Sequence, residues 1–117
     1  MPGFIQSAAI EALSLYDELV PGYRRMFRRR LDLAAERLST VDGITCRRPD
    51  ATFYLFPSVA ADDVEVARRW LETINVATLP GSSFGPAGAG HLRLSLTCSE
   101  TDLDEALDRI ARVGIAA

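Results

Sequence analysis

The sequence contains no lysine: all 13 of its lysine-or-arginine positions are arginine. No side chain can therefore offer an ε-amine as a nucleophile or a Schiff-base partner. Histidine is almost absent as well. The single histidine, His91, has no serine or cysteine motif around it, which leaves a hydrolytic triad with little support. A metal site is equally poorly supported, because no second histidine or cysteine lies at ligand spacing.

Cysteine and long apolar runs are also scarce. Cys46 and Cys98 are far apart and form no C-x-x-C pair, so we interpret them as two small buried thiols rather than a disulfide or a metal site. No apolar run approaches the roughly 18 residues of a membrane-spanning helix. The first residues lack the basic-then-apolar order of a signal peptide. These absences predict a cytoplasmic protein without a membrane partner.

The bulk composition is that of one globular domain, which we assign to residues 1–117. With 48% hydrophobic and 25% charged residues, a chain of this length can bury a core. A formal net charge of −3 argues against nucleic acid as the main partner. Five arginines nevertheless cluster on one predicted helix, and we interpret them as a solvated or interdomain face. They are Arg24, Arg25, Arg28, Arg29 and Arg30.

Apolar periodicity predicts eight elements in the order ααββαββα. The helices are expected over residues 4–19 and 21–38, from Asp62, and from Ser99; the strands over 44–48, 52–57, 76–79 and 91–97. Pro49-Asp50 lies between the first two strands and predicts a hairpin. The order indicates an α/β (α+β sandwich) fold, with a small sheet of about four strands covered on one face by helices.

The helical spacing also predicts which side chains are buried. The second helix should bury Tyr23, Phe27, Leu31, Ala34 and Leu38, the third Val66, Ala67, Trp70, Leu71 and Ile74, and the fourth Leu103, Ala106, Leu107 and Ile110. The first helix carries few large apolar residues. It could pack on the sheet or equally bridge to another part of a larger protein.

The segment Pro80–Gly90 is rich in glycine, which lets backbone amides approach an anion. It does not match a known phosphate cradle, because Gly90 is followed by His91 and a strand. A Walker loop instead ends in Gly-Lys-Ser/Thr, and a dinucleotide fingerprint opens a helix. We therefore interpret the segment as a loop that borders a site.

Strict alternation over 91–97 places three leucines on one face of the last strand and Arg93 on the other, beside Ser95. Arg93 is then either an exposed sheet arginine or a carboxylate clamp. A guanidinium offers two parallel donors that match a carboxylate, and a strand holds it rigidly. The alternation alone leaves both interpretations open.

Four segments in order resemble the C-terminal small domain of class I and II aminotransferases, which are fold-type I pyridoxal-phosphate enzymes. They are Phe4-Ile5-Gln6 with an alanine-rich helix, Arg29-Arg30-Leu31-Asp32, Pro49-Asp50-Ala51-Thr52-Phe53-Tyr54, and Pro80-Gly81-Ser82-Ser83-Phe84-Gly85 with His91-Leu92-Arg93-Leu94-Ser95. The resemblance covers almost the whole chain. It departs from the family at Ala51, where the family usually has glycine.

The resemblance implies roles for four residues. Arg93 matches the arginine that binds the α-carboxylate of the amino-acid substrate. Ser83 and Phe84 belong to the loop that shapes the nearby entrance. Phe53 matches a position near the substrate side chain. The resemblance implies no catalytic, cofactor-binding or metal-binding residue in this chain.

In the family, the Schiff-base lysine and the other groups that hold pyridoxal phosphate lie on a large domain, upstream of the segment that matches Phe4. The resemblance therefore implies pyridoxal phosphate in the intact enzyme and none on this chain alone, which we expect to be inactive. The implied partners are the missing large domain, an amino-acid or 2-oxo-acid substrate, and a second subunit of a homodimer. The alternative is a free-standing, non-catalytic module that binds carboxylates or proteins.

Overall fold

The computed structural model describes residues 2–115 and shows helices packed on short antiparallel strands. The helices are α1 Gly3–Ser14, α2 Tyr16–Ser39, α3 Asp63–Ile74 and α4 Glu100–Val113, and the strands are β1 Ile44–Thr45, β2 Tyr54–Leu55, β3 Ser58–Val59, β4 Leu79–Pro80 and β5 Leu92–Ser95. Two 3-10 turns, Gly81–Phe84 and Pro86–Gly88, lie between β4 and β5. The α/β class predicted from the sequence is confirmed.

The strand pairing differs from the prediction. β5 lies between β2 and β4 and is antiparallel to both, with Leu55 opposite Leu94. β1 pairs with β3 instead of with its expected hairpin partner, so the predicted hairpin across Pro49-Asp50 is wrong. The strand expected over 52–57 is interrupted at Pro57, which has no backbone N–H to donate. The described residues therefore form five short strands in two sheets, and not one sheet of about four.

The buried core confirms most of the predicted helix faces. It joins the apolar stripes of α2, α3 and α4 to the leucines of β2 and β5; its fully buried large residues include Leu38, Leu55, Trp70, Leu92, Leu96 and Ile110. Tyr23 and Leu71 are exposed, against the prediction. Leu71 follows Trp70 directly, and one residue turns a helix by about 100°, which carries its side chain beyond the buried arc.

The first two helices meet at Leu15 and not at Pro21. Pro21 lies inside α2, where it removes one backbone hydrogen bond. The carbonyl that loses its partner belongs to the exposed residue Asp17, so water can hydrate it. A proline in the sequence therefore did not end the helix, because the affected turn faces solvent.

Helix α1 does not pack on the sheet, and none of its residues is buried. Phe4, Ile10 and Leu13 are 76%, 70% and 71% exposed. A helix of 12 residues is only marginally stable in water unless it packs against another surface. Of the two roles that the sequence allowed, the structure excludes packing on this sheet and leaves an unpartnered apolar helix.

The two cysteines are free, with Cys46 half-buried and Cys98 exposed. The prediction of two buried thiols is therefore wrong for Cys98, which follows the end of β5. Burial raises the pKa of the Cys46 thiol. Within residues 2–115 no group of three or more metal-ligating side chains comes together. None of the described helices combines the length and the apolar character needed to cross a bilayer.

Candidate functional site

Arg93 lies on the most firmly held strand of the fold. β5 is paired on both edges, and its neighbours Leu92 and Leu94 are buried in the core beneath the sheet. Arg93 points to the opposite face and is half-buried. Its backbone is thus fixed by two strand ladders and by two leucine anchors, as a rigid binding group requires.

The guanidinium of Arg93 lies between two aromatic rings. Its Cζ atom is 4.6 Å from the ring centroid of Tyr54 and 4.7 Å from that of Phe84. Tyr54 comes from β2, and Phe84 comes from the 3-10 turn Gly81–Phe84. Each cation–π contact stabilises the charged group by roughly 0.5–2 kcal/mol. Both rings contact the guanidinium, and none of its N–H groups donates to an acceptor among the described residues.

Within the described residues, the side chain of Arg93 makes neither an ion pair nor a hydrogen bond. Several other arginines of the chain are paired. Arg29 pairs with Glu100, and Arg109 pairs with Glu105 while donating to the carbonyl of Ile74 at 3.0 Å. A half-buried, ring-stacked guanidinium without an internal anion has the donors that a planar carboxylate needs.

An aromatic cluster surrounds Arg93 and joins three of the four predicted site residues. The ring of Phe53 lies 4.5 Å from that of Tyr54. On the other side, Phe56 is 6.3 Å from Phe84 and stacks on His91 at 5.1 Å. The fourth predicted residue, Ser83, is exposed beside Phe84, and none of its side-chain contacts brings it into the cluster.

Sequence reasoning missed the contribution of Tyr54. Tyr54 is paired with Ser95, which shares a sheet face with Arg93. The side chain of Tyr54 therefore lies diagonally across from Arg93, a separation that aromatic and long side chains span. The sequence indicates a contact between Tyr54 and Arg93 only once the register of β2 against β5 is known, and that register was not predicted.

The glycine-rich loop between β4 and β5 is closed by its own backbone. The amide of Gly81 donates to the carbonyl of His91 at 2.7 Å, and the amide of Gly88 donates to that of Gly85 at 2.9 Å. The amides of Ser82 and Gly90 donate to the carboxylate of Asp63. These amide donors are engaged inside the protein, so they do not form a phosphate cradle.

Asp63 is the acidic group that holds this loop. Its side chain is only 5% exposed, and it accepts hydrogen bonds from Ser82 N at 2.8 Å and from Gly90 N at 3.3 Å. These bonds, above all the one from Ser82, lower the pKa of Asp63. The preceding residue, Asp62, caps α3 by accepting from Glu65 N at 2.9 Å, which confirms the helix start predicted at Asp62.

Two glycines make the closure of the loop possible. A Cβ atom built on Gly88 would lie 2.1 Å from the carbonyl oxygen of Gly81, and one built on Gly81 would lie 2.2 Å from that of Gly88. Both obstacles are backbone atoms and cannot move aside as a side chain could. Only residues without a Cβ let the two turns approach this closely.

We expect Gly88→Ala to lower the free energy of unfolding by about 1–3 kcal/mol, because the new methyl group would force the two turns apart. Urea denaturation followed by circular dichroism measures the change. Gly22→Ala is the control, since Gly22 lies in a helix with nothing within 4 Å of its added Cβ, and we expect it to be stabilising by about 0.5–1 kcal/mol. Equal effects of the two substitutions would refute tight packing of the loop.

Four of the five arginines of the α2 cluster are exposed, as expected of a solvated face, and the fifth is not. Arg30 is buried and donates to the carbonyl of Leu96 at 2.8 Å, which ties α2 to the end of β5. Arg24, Arg25 and Arg28 line a surface cleft of about 620 Å³ between α2 and residues 48–53. Phe53 also borders this cleft, whereas Arg93 does not.

The sequence and the fold of this chain are similar to those of one known protein family. Residues 1–110 match the family described as aminotransferase class I and II. The chain is 38% identical to the LL-diaminopimelate aminotransferase of Oleidesulfovibrio alaskensis over 92% of its length, and 32% identical to the aspartate aminotransferase of Pyrococcus horikoshii over 93%. It covers 28% and 29% of those two proteins.

Solved structures show the same relation. The aspartate aminotransferase from Rhizobium meliloti superposes on 92% of this chain with a TM-score of 0.81 and 33% identity, and the chain covers 30% of that structure. The substrate-bound BacF structure from Bacillus subtilis superposes on 100% of the chain with a TM-score of 0.86 and 27% identity, and the chain covers 31% of it. The chain thus belongs to the class I and II aminotransferases and spans less than a third of the length of the members it matches.

Proposed function

We propose that this chain forms the substrate-carboxylate-binding part of a pyridoxal-phosphate-dependent aminotransferase. Such an enzyme moves an amino group between an amino acid and a 2-oxo acid. Membership of the family supports the activity of the whole enzyme. The observation that supports the role of this part is Arg93, a rigidly held guanidinium stacked between two rings and without an anion among the described residues.

The chemistry of the two substrates fits one arginine. An amino acid and its 2-oxo acid differ at the α-carbon but carry the same α-carboxylate. A guanidinium binds a carboxylate through two parallel N–H···O bonds, which fix the plane of the bound group as well as its position. Arg93 would then hold both the donor and the acceptor, with Phe53 toward the substrate side chain and Ser83 and Phe84 at the entrance.

The residues of this chain do not fit the cofactor by themselves. Pyridoxal phosphate is held and assisted in this family through a lysine amine, and the chain has no lysine. The amides of Ser82 and Gly90 in the glycine-rich loop are bound by Asp63 and not free for a phosphate. The proposal therefore assigns the cofactor and the reaction steps to the remainder of a longer enzyme, a cytoplasmic homodimer, and it predicts that this chain alone is inactive.

The exposed apolar helix α1 supports a larger assembly over the alternative of a free-standing binding module. A self-contained module would gain nothing by leaving Phe4, Ile10 and Leu13 in solvent. Exposed apolar side chains in this number are typical of a surface on which another protein surface docks.

Carboxylate binding by the chain tests the proposal directly. We expect the side-chain Nε–H resonance of Arg93 in a nitrogen-15 NMR spectrum to shift as pyruvate is added, because pyruvate supplies an α-carboxylate. Chloride at equal ionic strength should leave the Arg93 resonance unchanged. Pyruvate should also leave the Nε–H resonance of the exposed Arg112 unchanged. An Arg93 resonance that responds to chloride and pyruvate alike would refute specific carboxylate binding.

Self-association of the chain tests the role of α1. We expect light scattering to show oligomers and a dye for apolar surface to bind strongly, because α1 exposes large apolar side chains. The double substitution Phe4→Ser and Ile10→Ser should reduce both signals. Leu71→Ser, which changes an exposed leucine on α3, is the control and should have little effect. A wild-type monomer with weak dye binding would favour the free-standing module.

A further inference from the structure

The two aromatic walls around Arg93 are held in different ways. Tyr54 belongs to β2, whose pairing with β5 fixes its ring beside Arg93. Phe84 belongs to a loop without strand pairing, and its side chain is 53% exposed. The core therefore does not hold the ring of Phe84 in place. Its position over Arg93 depends on the shape of the loop that carries it.

Both ends of that loop are attached to one buried carboxylate. Asp63 Oδ2 accepts from Ser82 N at 2.8 Å, and Asp63 Oδ1 accepts from Gly90 N at 3.3 Å. Ser82 lies two residues before Phe84, and Gly90 lies just before β5. Each carboxylate oxygen thus holds one side of the loop, with Phe84 between them.

Asp63 is not needed to start its own helix. Asp62 supplies the N-cap of α3 by accepting from Glu65 N. A buried carboxylate is costly unless it is fully hydrogen-bonded, and the bonds of Asp63 go to the loop next to the site. Its placement is therefore explained by the loop and not by the helix.

We propose that Asp63 is a positioning residue for substrate binding: by holding Ser82 and Gly90 it keeps the ring of Phe84 stacked on the guanidinium of Arg93, and so keeps Arg93 oriented toward a carboxylate. This inference deepens the proposed function and rests on it for the identity of the ligand. Asp63 touches neither Arg93 nor the proposed substrate, and it acts through Phe84.

The NMR signal of Arg93 tests the inference without any ligand. A stacked ring displaces the Nε–H resonance of the guanidinium by its ring current, and Phe84→Leu defines the position of the resonance when that ring is absent. We expect Asp63→Ala to move the Arg93 resonance most of the way toward the Phe84→Leu position. Asp63→Asn keeps the shape and one acceptor oxygen, so it should fold and move the resonance partway.

Asp62→Ala is the matched control, because it removes the neighbouring carboxylate and the cap of α3 but no bond to the loop. It should leave the Arg93 resonance in the wild-type position. The inference is overturned if folded Asp63→Ala and Asp63→Asn both keep the wild-type resonance, or if Asp62→Ala moves it as far as Asp63→Ala does.

Pyruvate titration of the same proteins separates this inference from the proposed function. Loss of one stacked ring should weaken pyruvate binding by about twofold to fivefold in Asp63→Ala. If wild-type Arg93 ignores pyruvate while Asp63→Ala still releases the Phe84 ring, the proposed function fails and the positioning by Asp63 stands. If pyruvate binds and Asp63→Ala changes neither the resonance nor the affinity, the positioning fails and the proposed function stands.

Discussion

Replacing Arg93 with alanine should raise the KM for the amino acid by about 100-fold, equivalent to ~3 kcal/mol of lost binding to a charged, doubly hydrogen-bonded carboxylate. The measurement requires the chain as part of a full-length enzyme, or fused to the large domain of a matching aminotransferase. The KM for the 2-oxo acid should rise by a similar factor, since both substrates carry the same α-carboxylate. Binding of pyridoxal phosphate should not change, because Arg93 is assigned to the substrate alone.

Two further substitutions make the Arg93 result specific. Arg93→Lys keeps the positive charge but loses the two parallel donors, so its KM should lie between those of the wild type and Arg93→Ala. Arg112→Ala removes an exposed arginine whose Nε donates to the carbonyl of Asp108 at 3.3 Å, and it should leave both KM values unchanged. An unaltered KM in Arg93→Ala would remove Arg93 from the site.

Trp70→Ala should have the largest effect on stability, a loss of about 3–5 kcal/mol. Trp70 is 0% exposed, and its indole N–H donates to the carbonyl of Gly114 at 2.9 Å. The substitution both opens a cavity where α3 meets the core and releases the segment after α4. Because natural domains are stable by only about 5–15 kcal/mol, we expect a much lower urea midpoint and partial unfolding even without denaturant.

Far-ultraviolet circular dichroism is the appropriate probe, because Trp70 is the only tryptophan and its loss removes the fluorescence signal. Trp70→Phe fills most of the volume but cannot donate the hydrogen bond, so its loss should be smaller. Leu71→Ala, at the exposed neighbouring position, should change stability by no more than about 0.5 kcal/mol. A loss in Trp70→Ala no greater than in Leu71→Ala would show that the core does not depend on this residue.

Family membership could be predicted from the sequence, because the motifs between Phe4 and Ser95 are short contiguous segments that can be recognised without a structure. The site was only partly predictable. Arg93 and Phe84 were identified by that resemblance, and the structure brings their side chains together. Tyr54 and Asp63 were missed, since their contacts join segments that lie about 20 to 40 residues apart in the chain.

Asp62 and Asp63 illustrate this limit well. The sequence shows two consecutive aspartates before a helix, and either could accept hydrogen bonds. The sequence predicts that α3 begins at Asp62, and the structure shows Asp62 as its cap, but only the tertiary structure shows that Asp63 turns inward to the amides of Ser82 and Gly90.

The sequence by itself determined most of the buried faces of α2, α3 and α4 and the alternation along β5, because helix and strand periods translate directly into a side of each element. It also determined that the chain has no lysine amine. The tertiary structure alone decided that β2 pairs with β5, that α2 continues through Pro21, and that α1 remains uncovered. The physical reason is that strand pairing and helix docking are selected by burial of distant residues, such as Leu55 against Leu94, and local patterns carry no record of the distant partner.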